Sequence, residues 1–342
     1  MYVVMFHLGG GETEFKVGNA FFQFFHWGGY AVDLFFILSG FILNWVYLSN
    51  AFQMNWSSYL RARIARIVPL YYLTIVFCLP VIIYSVTNYG FAYVSKDLPV
   101  DFVLNLLLLS GIVGGWKHTI NVPAWSISVE FFCYLAVFPL LFLLKKFLTS
   151  KPYAMPALIV MASISTLGLA TCYDLAPVPI WHWHWDSVWL NGGICGFSTG
   201  FFLCSIFQKT SHWKPSVGVI NFVILTTIAI FLLVAFKFMP NRLVPYALPF
   251  LVFFSVADKG FAASLLKTKP FQWLGERSYS IYLWHELCLG SYTRFLHTHL
   301  SEFGYDVVVI VLILGVSEMS YRFFECPCRE YIRKFPRPVS AR

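Results

Sequence analysis

Nine stretches of this chain stay apolar for close to the length that crosses the hydrocarbon core of a bilayer, roughly 20 residues. They cover residues 31–48, 67–87, 125–144, 153–172, 188–207, 217–238, 244–257, 278–296 and 305–324. Only 12% of the 342 residues are charged, whereas a soluble domain has about a quarter. No soluble core can hide so much apolar surface, so the sequence predicts an all-α, polytopic bundle of transmembrane helices.

Two further apolar segments are too short to cross a bilayer. Residues 1–8 run into three glycines and a polar segment, which indicates a first helix whose beginning is missing. Residues 101–115 end in Gly111, Gly114 and Gly115, which is typical of a re-entrant or half-buried segment. With the first helix restored by a start upstream of Met1, we expect about ten crossings plus one re-entrant segment.

The positions of the basic residues predict the orientation of the bundle. If residues 101–115 do not cross, most of the 24 Lys and Arg residues fall on one side, including Arg61, Arg63 and Arg66. That side is cytoplasmic, because positive loops stay inside. The net charge of +8 does not predict a nucleic acid partner, since the basic residues lie between apolar runs instead of in one patch.

One integral-membrane domain is predicted over residues 1–330, followed by a short basic cytoplasmic tail over residues 331–342. The chain carries neither a signal-peptide pattern nor an internal repeat. Its eight Cys residues lack metal-site spacing, so we expect no metal and no bound cofactor. The alternating Trp and His of residues 181–186 favour an interfacial anchor, with sugar stacking or metal binding as alternatives.

Ionisable residues inside apolar segments are costly and therefore mark functional candidates. The topology assigns His7, Asp33 and Glu130 to the outer ends of their helices, and Arg63, Arg66 and His285 to the inner half; Arg61 and Glu325 also fall in the inner half. The predicted polar residues are thus divided between the two sides of the membrane.

Two chemical hypotheses follow from these residues. His7 and Asp33 would form a base and its orienting carboxylate, able to take a proton from a hydroxyl. The alternative is that His7 is an interfacial residue at a frayed helix end. Arg63 and Arg66 share one helix face at a spacing of three and could bind phosphates, or they could simply anchor the helix at the cytoplasmic surface.

Five sequence blocks, taken in their order along the chain, are more specific than any single residue. They are the first-helix His7, VDLFFILSGF with Asp33, RARIARIVPLYY with Arg63 and Arg66, WSISVEFFCY with Trp125, Ser126 and Glu130, and LGERSYSIYLWH with Tyr279 and His285. A Glu-x-Pro at Glu325 closes the series. In these blocks and their order the chain resembles the acyltransferase-3 family, membrane enzymes that transfer acyl groups to hydroxyls of glycans and other exported molecules.

The resemblance implies a function and a role for each block. An acyl group, expected to be acetyl, would pass from cytoplasmic acyl-CoA to a hydroxyl of an exported glycan or other acceptor at the outer face. His7 would act as general base and Asp33 as its orienter. The other implied roles are donor binding by Arg63, Arg66, Tyr279 and His285, positioning of acceptor or water by Glu130, and substrate contacts by Trp125 and Ser126.

One departure from the family pattern concerns the amino terminus. The family usually has an Arg eleven positions before the first-helix His, and only six residues precede His7 here; we expect an upstream start. The short tail predicts no fused soluble transferase domain. A transporter or flippase for lipid-linked glycans and an inactive membrane scaffold are the alternatives. The resemblance favours a bacterial inner membrane and leaves the acceptor, the acyl length and the oligomeric state open.

Overall fold

A computed structural model of the protein describes residues 1–8, 25, 28–48, 54–89, 97–113, 119–174, 186–210, 212–292 and 302–334. Within these ranges the regular structure is entirely helical, without a strand. The predicted all-α class is therefore confirmed. The aromatic run of residues 181–185 lies outside the described residues, so its predicted role as an interfacial anchor stays a prediction.

The described ranges contain fifteen α-helices. They are α1 Tyr2–Leu8, α2 Gly29–Leu48, α3 Trp56–Tyr89, α4 Leu98–Leu106, α5 Ala124–Phe132, α6 Phe138–Thr149, α7 Ala154–Asp174, α8 Asp186–Lys209, α9 Val217–Ala235, α10 Val244–Ser255, α11 Gly260–Leu266, α12 Lys269–Glu276, α13 Ser278–Glu286, α14 Glu302–Ser320 and α15 Cys326–Lys334. π-Helical turns continue α5 into α6 (Cys133–Val137), extend α13 (Leu287–Tyr292) and join α14 to α15 (Tyr321–Glu325). The predicted domain boundary at residue 330 falls inside α15.

Within the described ranges, seven helical segments are long and apolar enough to cross a membrane. They are Gly29–Leu48, Trp56–Tyr89, Ala124–Thr149, Ala154–Tyr173, Val188–Lys209, Val217–Ala235 and Gly304–Lys334. The pair Asn241–Ser255 and Gly260–Leu266, bent by 77°, makes eight if it counts as one span. The predicted bundle is confirmed, but the count of about ten is not. Helix α4 has nine residues, too few to cross, as expected for a half-buried segment.

The bundle has an apolar surface and closely packed helices, as expected for a protein in a lipid environment. Large apolar side chains face outward, such as Phe222 and Phe323, which are 71% and 76% exposed. Inside, α2 and α8 approach so closely that a Cβ on Gly40 would overlap the carbonyl oxygen of Phe197. Gly200 meets the carbonyl of Ile37 in the same way. Small residues at such crossings let membrane helices pack backbone against backbone.

Helix α1 is short, and its position depends on packing. Val4 is buried in one apolar cluster with Ile281 of α13 and Ile313 of α14. On the other side, Phe6 lies against Gly28, where a Cβ would overlap the phenyl ring. These contacts hold α1 between α13 and the start of α2, so the face of α1 that carries Val4 is turned toward α13.

Candidate functional site

Three ionisable side chains meet where α1 and α13 end. Nδ1 of His7 lies 3.6 Å from Oε2 of Glu286, and Nε2 of His285 lies 4.0 Å from the same oxygen. The two imidazole rings are 5.2 Å apart between centroids. His7 follows Val4 by three residues, and the helical repeat therefore turns both toward α13. We call His7, His285 and Glu286 the histidine cluster.

The protonation of His285 is constrained by its surroundings. The ring is fully buried, and Nδ1 lies 2.5 Å from the carbonyl oxygen of Tyr282. Because a carbonyl only accepts, Nδ1 carries the proton and Nε2 keeps a lone pair in the neutral ring. Among the described residues, neither this Nε2 nor Oε2 of Glu286 has a hydrogen-bond partner. Two acceptors thus face each other across a gap that a proton, a water or a substrate group can bridge.

The histidine cluster also offers three ligand atoms within 4.8 Å of one another, a spacing that could hold a metal ion. A structural metal site normally has four ligands, and a catalytic one has three. The sequence predicts no metal here. Both imidazoles and the carboxylate are equally suited to moving a proton, which needs no ion.

The predicted pair of His7 and Asp33 is not formed. Among the described residues, the ionisable neighbours of His7 are Glu286 and His285, while the carboxylate of Asp33 accepts a hydrogen bond from the Tyr173 hydroxyl. The packing of α1 explains this, because Val4 and His7 face α13 instead of α2. Sequence reasoning gave Glu286 no role, although an acid directly after a motif His inside an apolar segment was a usable signal.

A second polar network surrounds Glu130 at the centre of the bundle. Its carboxylate accepts hydrogen bonds from the Ser39 hydroxyl, at 2.7 Å, and from the hydroxyl of Tyr134. The guanidinium of Arg63 lies over the Tyr134 ring, 5.4 Å from its centroid, a cation–π contact. Glu130 and Arg63 are therefore connected through Tyr134.

Arg66 differs from the other charges of this region. It is half-buried and interacts electrostatically with Glu130, yet it forms no hydrogen bond or ion pair with a described residue. The hydroxyl of Tyr279 donates to the carbonyl oxygen of Ile67, at 2.8 Å, and so ties α13 to the turn of α3 that follows Arg66. A guanidinium with spare donors is suited to bind phosphate.

The division of polar residues between two sides of the membrane is wrong in two places. His285 lies beside His7, with the two rings 5.2 Å apart between centroids, although the topology assigns these residues to opposite sides. Glu130 adjoins Tyr134, which Arg63 covers. The arginine side chain is long enough to reach inward from the start of α3. The polar groups therefore extend through the bundle.

A cavity of about 160 Å³ lies between helices α1, α2, α5 and α13. Its walls, which define what we call the central cavity, include Val3, Val4, Val32, Ser126, Tyr279 and Tyr282. The hydroxyls of Ser126 and Tyr282 are 2.8 Å apart and form a hydrogen bond. His7 follows Val4, and His285 follows Tyr282, by one helical turn. The histidine cluster therefore lies one turn beyond the cavity on both helices.

Of the predicted substrate residues, Ser126 lines the central cavity, and Trp125 faces a different cleft beside Asp33. The predicted donor residue Tyr279 lines the central cavity as well. The fold and these polar groups together define a polytopic membrane protein with a cluster of ionisable side chains in its interior.

Comparison with known proteins names the family. The sequence model of the acyltransferase-3 family, described as an acyltransferase domain, matches residues 1–321. The chain belongs to this family, as its sequence blocks predict.

Individual relatives match over shorter segments. A protein of Bacillus subtilis, YrhL, named as a candidate peptidoglycan O-acetyltransferase, is 36% identical over 80 residues, 23% of this chain and 13% of that protein. The O-acetyltransferase OatA of Staphylococcus aureus is 32% identical over 91 residues, 26% of this chain and 15% of OatA. The peptidoglycan O-acetyltransferase OatA of Listeria monocytogenes is 30% identical over 70 residues, 20% of this chain and 11% of that protein. No solved structure matches.

Proposed function

We propose that this protein is a membrane O-acetyltransferase that moves an acetyl group from cytoplasmic acetyl-CoA to a hydroxyl of a cell-envelope glycan, with His7 as the base. The names of the relatives support this activity and suggest peptidoglycan as the acceptor. The observation that carries the proposal is the position of the central cavity. Near one of its ends Tyr279 donates a hydrogen bond to the carbonyl oxygen of Ile67, and the histidine cluster lies one helical turn beyond its other end.

The donor would enter along α3. Arg63 and Arg66 would bind the phosphates of CoA, since Arg66 has no hydrogen bond or ion pair with a described residue, and guanidinium donors suit phosphate oxygens. The pantetheine arm is uncharged and flexible, which suits the mostly apolar walls of the central cavity. The thioester carbonyl would then lie near His7.

The transfer step needs one base. Glu286 faces Nδ1 of His7, which leaves Nε2 to accept the proton of the acceptor hydroxyl. The hydroxyl oxygen attacks the thioester carbonyl, an ester C–O bond forms, the C–S bond breaks, and the CoA thiolate takes the proton from the imidazolium. Glu286 stabilises the positive imidazolium. An acetyl-imidazole intermediate would use the same nitrogen, so both routes depend on His7.

In this proposal neither Glu130 nor Asp33 is the carboxylate that assists His7. Glu130 holds Tyr134, and through it Arg63, so it would position the donor-binding arginine. Asp33, bonded to Tyr173, would act on the acceptor side. A bacterial inner membrane supplies both cytoplasmic acetyl-CoA and an outer glycan, and we propose that location.

The test follows labelled acetyl groups from acetyl-CoA into peptide-free peptidoglycan strands, using the purified protein in lipid vesicles. His7→Ala should lower the transfer rate by at least 10²-fold, the usual contribution of a positioned base. His212→Ala is the matched control, because His212 lies in the exposed turn after α8. If the unmodified protein releases no CoA and transfers no acetyl group, the proposal is wrong, and a flippase or scaffold becomes the better hypothesis.

A further inference from the structure

A second cavity, which we call the outer cleft, lies across α2 from the central cavity. It is lined by Asp33 and Gly29 of α2, Trp125 of α5, Tyr173 of α7, and Trp189 and Gly192 of α8, and it is an open cleft with a volume of about 60 Å³. Val32 lines both cavities, so one helix separates them. We infer that the outer cleft binds one sugar unit of the acceptor glycan; this inference rests on the proposed function.

The first support is the aromatic wall. The rings of Trp125 and Trp189 are 4.5 Å apart between centroids, at 58° to each other, and form an angled apolar corner. The face of an indole carries negative partial charge. The C–H groups on one face of a pyranose ring are weakly positive and apolar, so they pack well on such a surface. A wall of this kind selects a ring over a flexible chain.

The second support is the carboxylate of Asp33. One oxygen accepts the hydrogen bond from Tyr173, whereas Oδ1 has no hydrogen-bond partner among the described residues. Within the same residues Asp33 has no ion-pair partner either. A carboxylate inside a membrane protein is costly unless its lone pairs are used. Neighbouring hydroxyls of a sugar would supply charge-assisted hydrogen bonds to Oδ1.

The third support is open space that packing does not require. A Cβ on Gly29 would come no closer than 3.8 Å to any neighbour, and one on Gly192 no closer than 3.9 Å. Alanine would therefore fit at both positions, and at Gly192, inside α8, it is the more stable residue by about 1 kcal/mol. Glycine at these two positions leaves the cleft wider than the fold needs.

The outer cleft also connects to the histidine cluster. Gly29 lines the cleft, and its neighbour Gly28 lies directly against Phe6, the residue before His7. A sugar unit held by Asp33 and the two indoles would extend a hydroxyl, or the next unit of a glycan, across Gly28 toward His7. The donor in the central cavity would reach His7 from the other side of α2.

The experiment measures steady-state acetyl transfer with two substrates varied separately, acetyl-CoA and peptide-free peptidoglycan strands. Asp33→Asn and Trp189→Leu should each raise the KM for the strands at least tenfold and change the KM for acetyl-CoA less than twofold. Gly192→Ala should raise the KM for the strands several-fold without lowering thermal stability. Trp213→Leu, an exposed Trp on the connection between α8 and α9, is the control and should change neither constant.

The outcomes separate this inference from the proposed function. Transfer by the unmodified protein with an unchanged KM for the strands in Asp33→Asn and Trp189→Leu would overturn the outer cleft and leave the proposed function intact. A parallel rise of both KM values would also overturn it, because the residues would then act on the fold or the donor. Failure of the unmodified protein to transfer acetyl groups would instead refute the proposed function.

Discussion

The ionisable groups at the two ends of α13 differ in whether they have bonding partners. At its beginning, Arg277 pairs with Glu318 of α14, and Ser280 donates to Glu325, which also pairs with Arg329. We call these five residues the paired cluster. Each carboxylate in it has a cationic partner. At the other end of α13, Nε2 of His285 and Oε2 of Glu286 are buried without a hydrogen bond to any described residue.

This difference separates charges that hold the fold from charges to which we assign chemistry in the proposed function. A polar group in a membrane interior is retained either because a partner compensates it or because a ligand or proton does so during function. The paired cluster fastens α13 to α14 and α15 close to the predicted cytoplasmic surface. The histidine cluster, one helix length away, has acceptors to spare, and a substrate or proton can use them.

The largest effect is expected from breaking the paired cluster. Glu325→Gln leaves Arg329 without its carboxylate, and the side chain of Glu325 is only 2% exposed. Removing one member of a buried pair costs about 3 kcal/mol, because the remaining charge stays uncompensated. Thermal or denaturant unfolding in detergent, followed by tryptophan fluorescence, should show this loss.

The matched control lies on α15, the helix that also carries Arg329. Glu330 pairs with Lys334 at 3.3 Å, but both side chains are more than two-thirds exposed. Glu330→Gln should cost less than about 1 kcal/mol, as surface pairs do. Equal losses in the two variants would mean that burial does not distinguish these pairs, and the comparison between the ends of α13 would lose its energetic basis.

Arg66 lies outside α13 and adds a third case to the comparison, a charge that has no ion pair with a described residue. Arg66→Ala should raise the KM for acetyl-CoA roughly 10- to 100-fold, since hydrogen bonds to charged groups contribute about 1.5–3 kcal/mol. It should lower stability only slightly, because no hydrogen bond or ion pair with a described residue is lost and only the longer-range attraction to Glu130 disappears. Kinetics with varied acetyl-CoA test this, with the exposed Arg333→Ala as control. A loss of stability with an unaltered KM would assign Arg66 to the fold.

The sequence predicts most of the helices because an apolar run in lipid has few alternatives to a helix. Asp33, Arg63 and Glu130 were also identifiable, since an ionisable residue in such a run is costly and must have a reason. A short segment that does not cross was predicted over residues 101–115, and α4, which ends at Leu106 before the glycines, overlaps it. Such features depend on local composition alone.

Which polar side chains meet was not predictable, because it depends on how helices pack. His7 meets Glu286 and not Asp33, because Val4 and Ile281 share one buried cluster and turn that face of α1 toward α13. Hydropathy likewise does not reveal depth within a span. It assigned His7 and His285 to opposite sides, although their rings lie 5.2 Å apart between centroids.

Glu286→Gln tests whether the histidine cluster depends on its acid. The substitution keeps the shape and removes the negative charge that would stabilise a protonated His7. We expect kcat for acetyl transfer to fall about tenfold, about 1.4 kcal/mol, with little change in either KM. If Asp33→Asn lowers kcat in this way and Glu286→Gln does not, the pair predicted from sequence would be the functional one.

The smallest effect is expected at the edge of the paired cluster. Arg322 pairs with Glu318, but its side chain is 64% exposed, and Glu318 keeps Arg277 as a second partner. Arg322→Ala should therefore cost no more than about 0.5 kcal/mol in unfolding experiments, whereas Arg277→Ala, whose side chain is 9% exposed, should cost several times as much. The reverse order would show that Arg322, in the π-helical turn after α14, is the arginine that holds Glu318, and that Arg277 at the start of α13 is not.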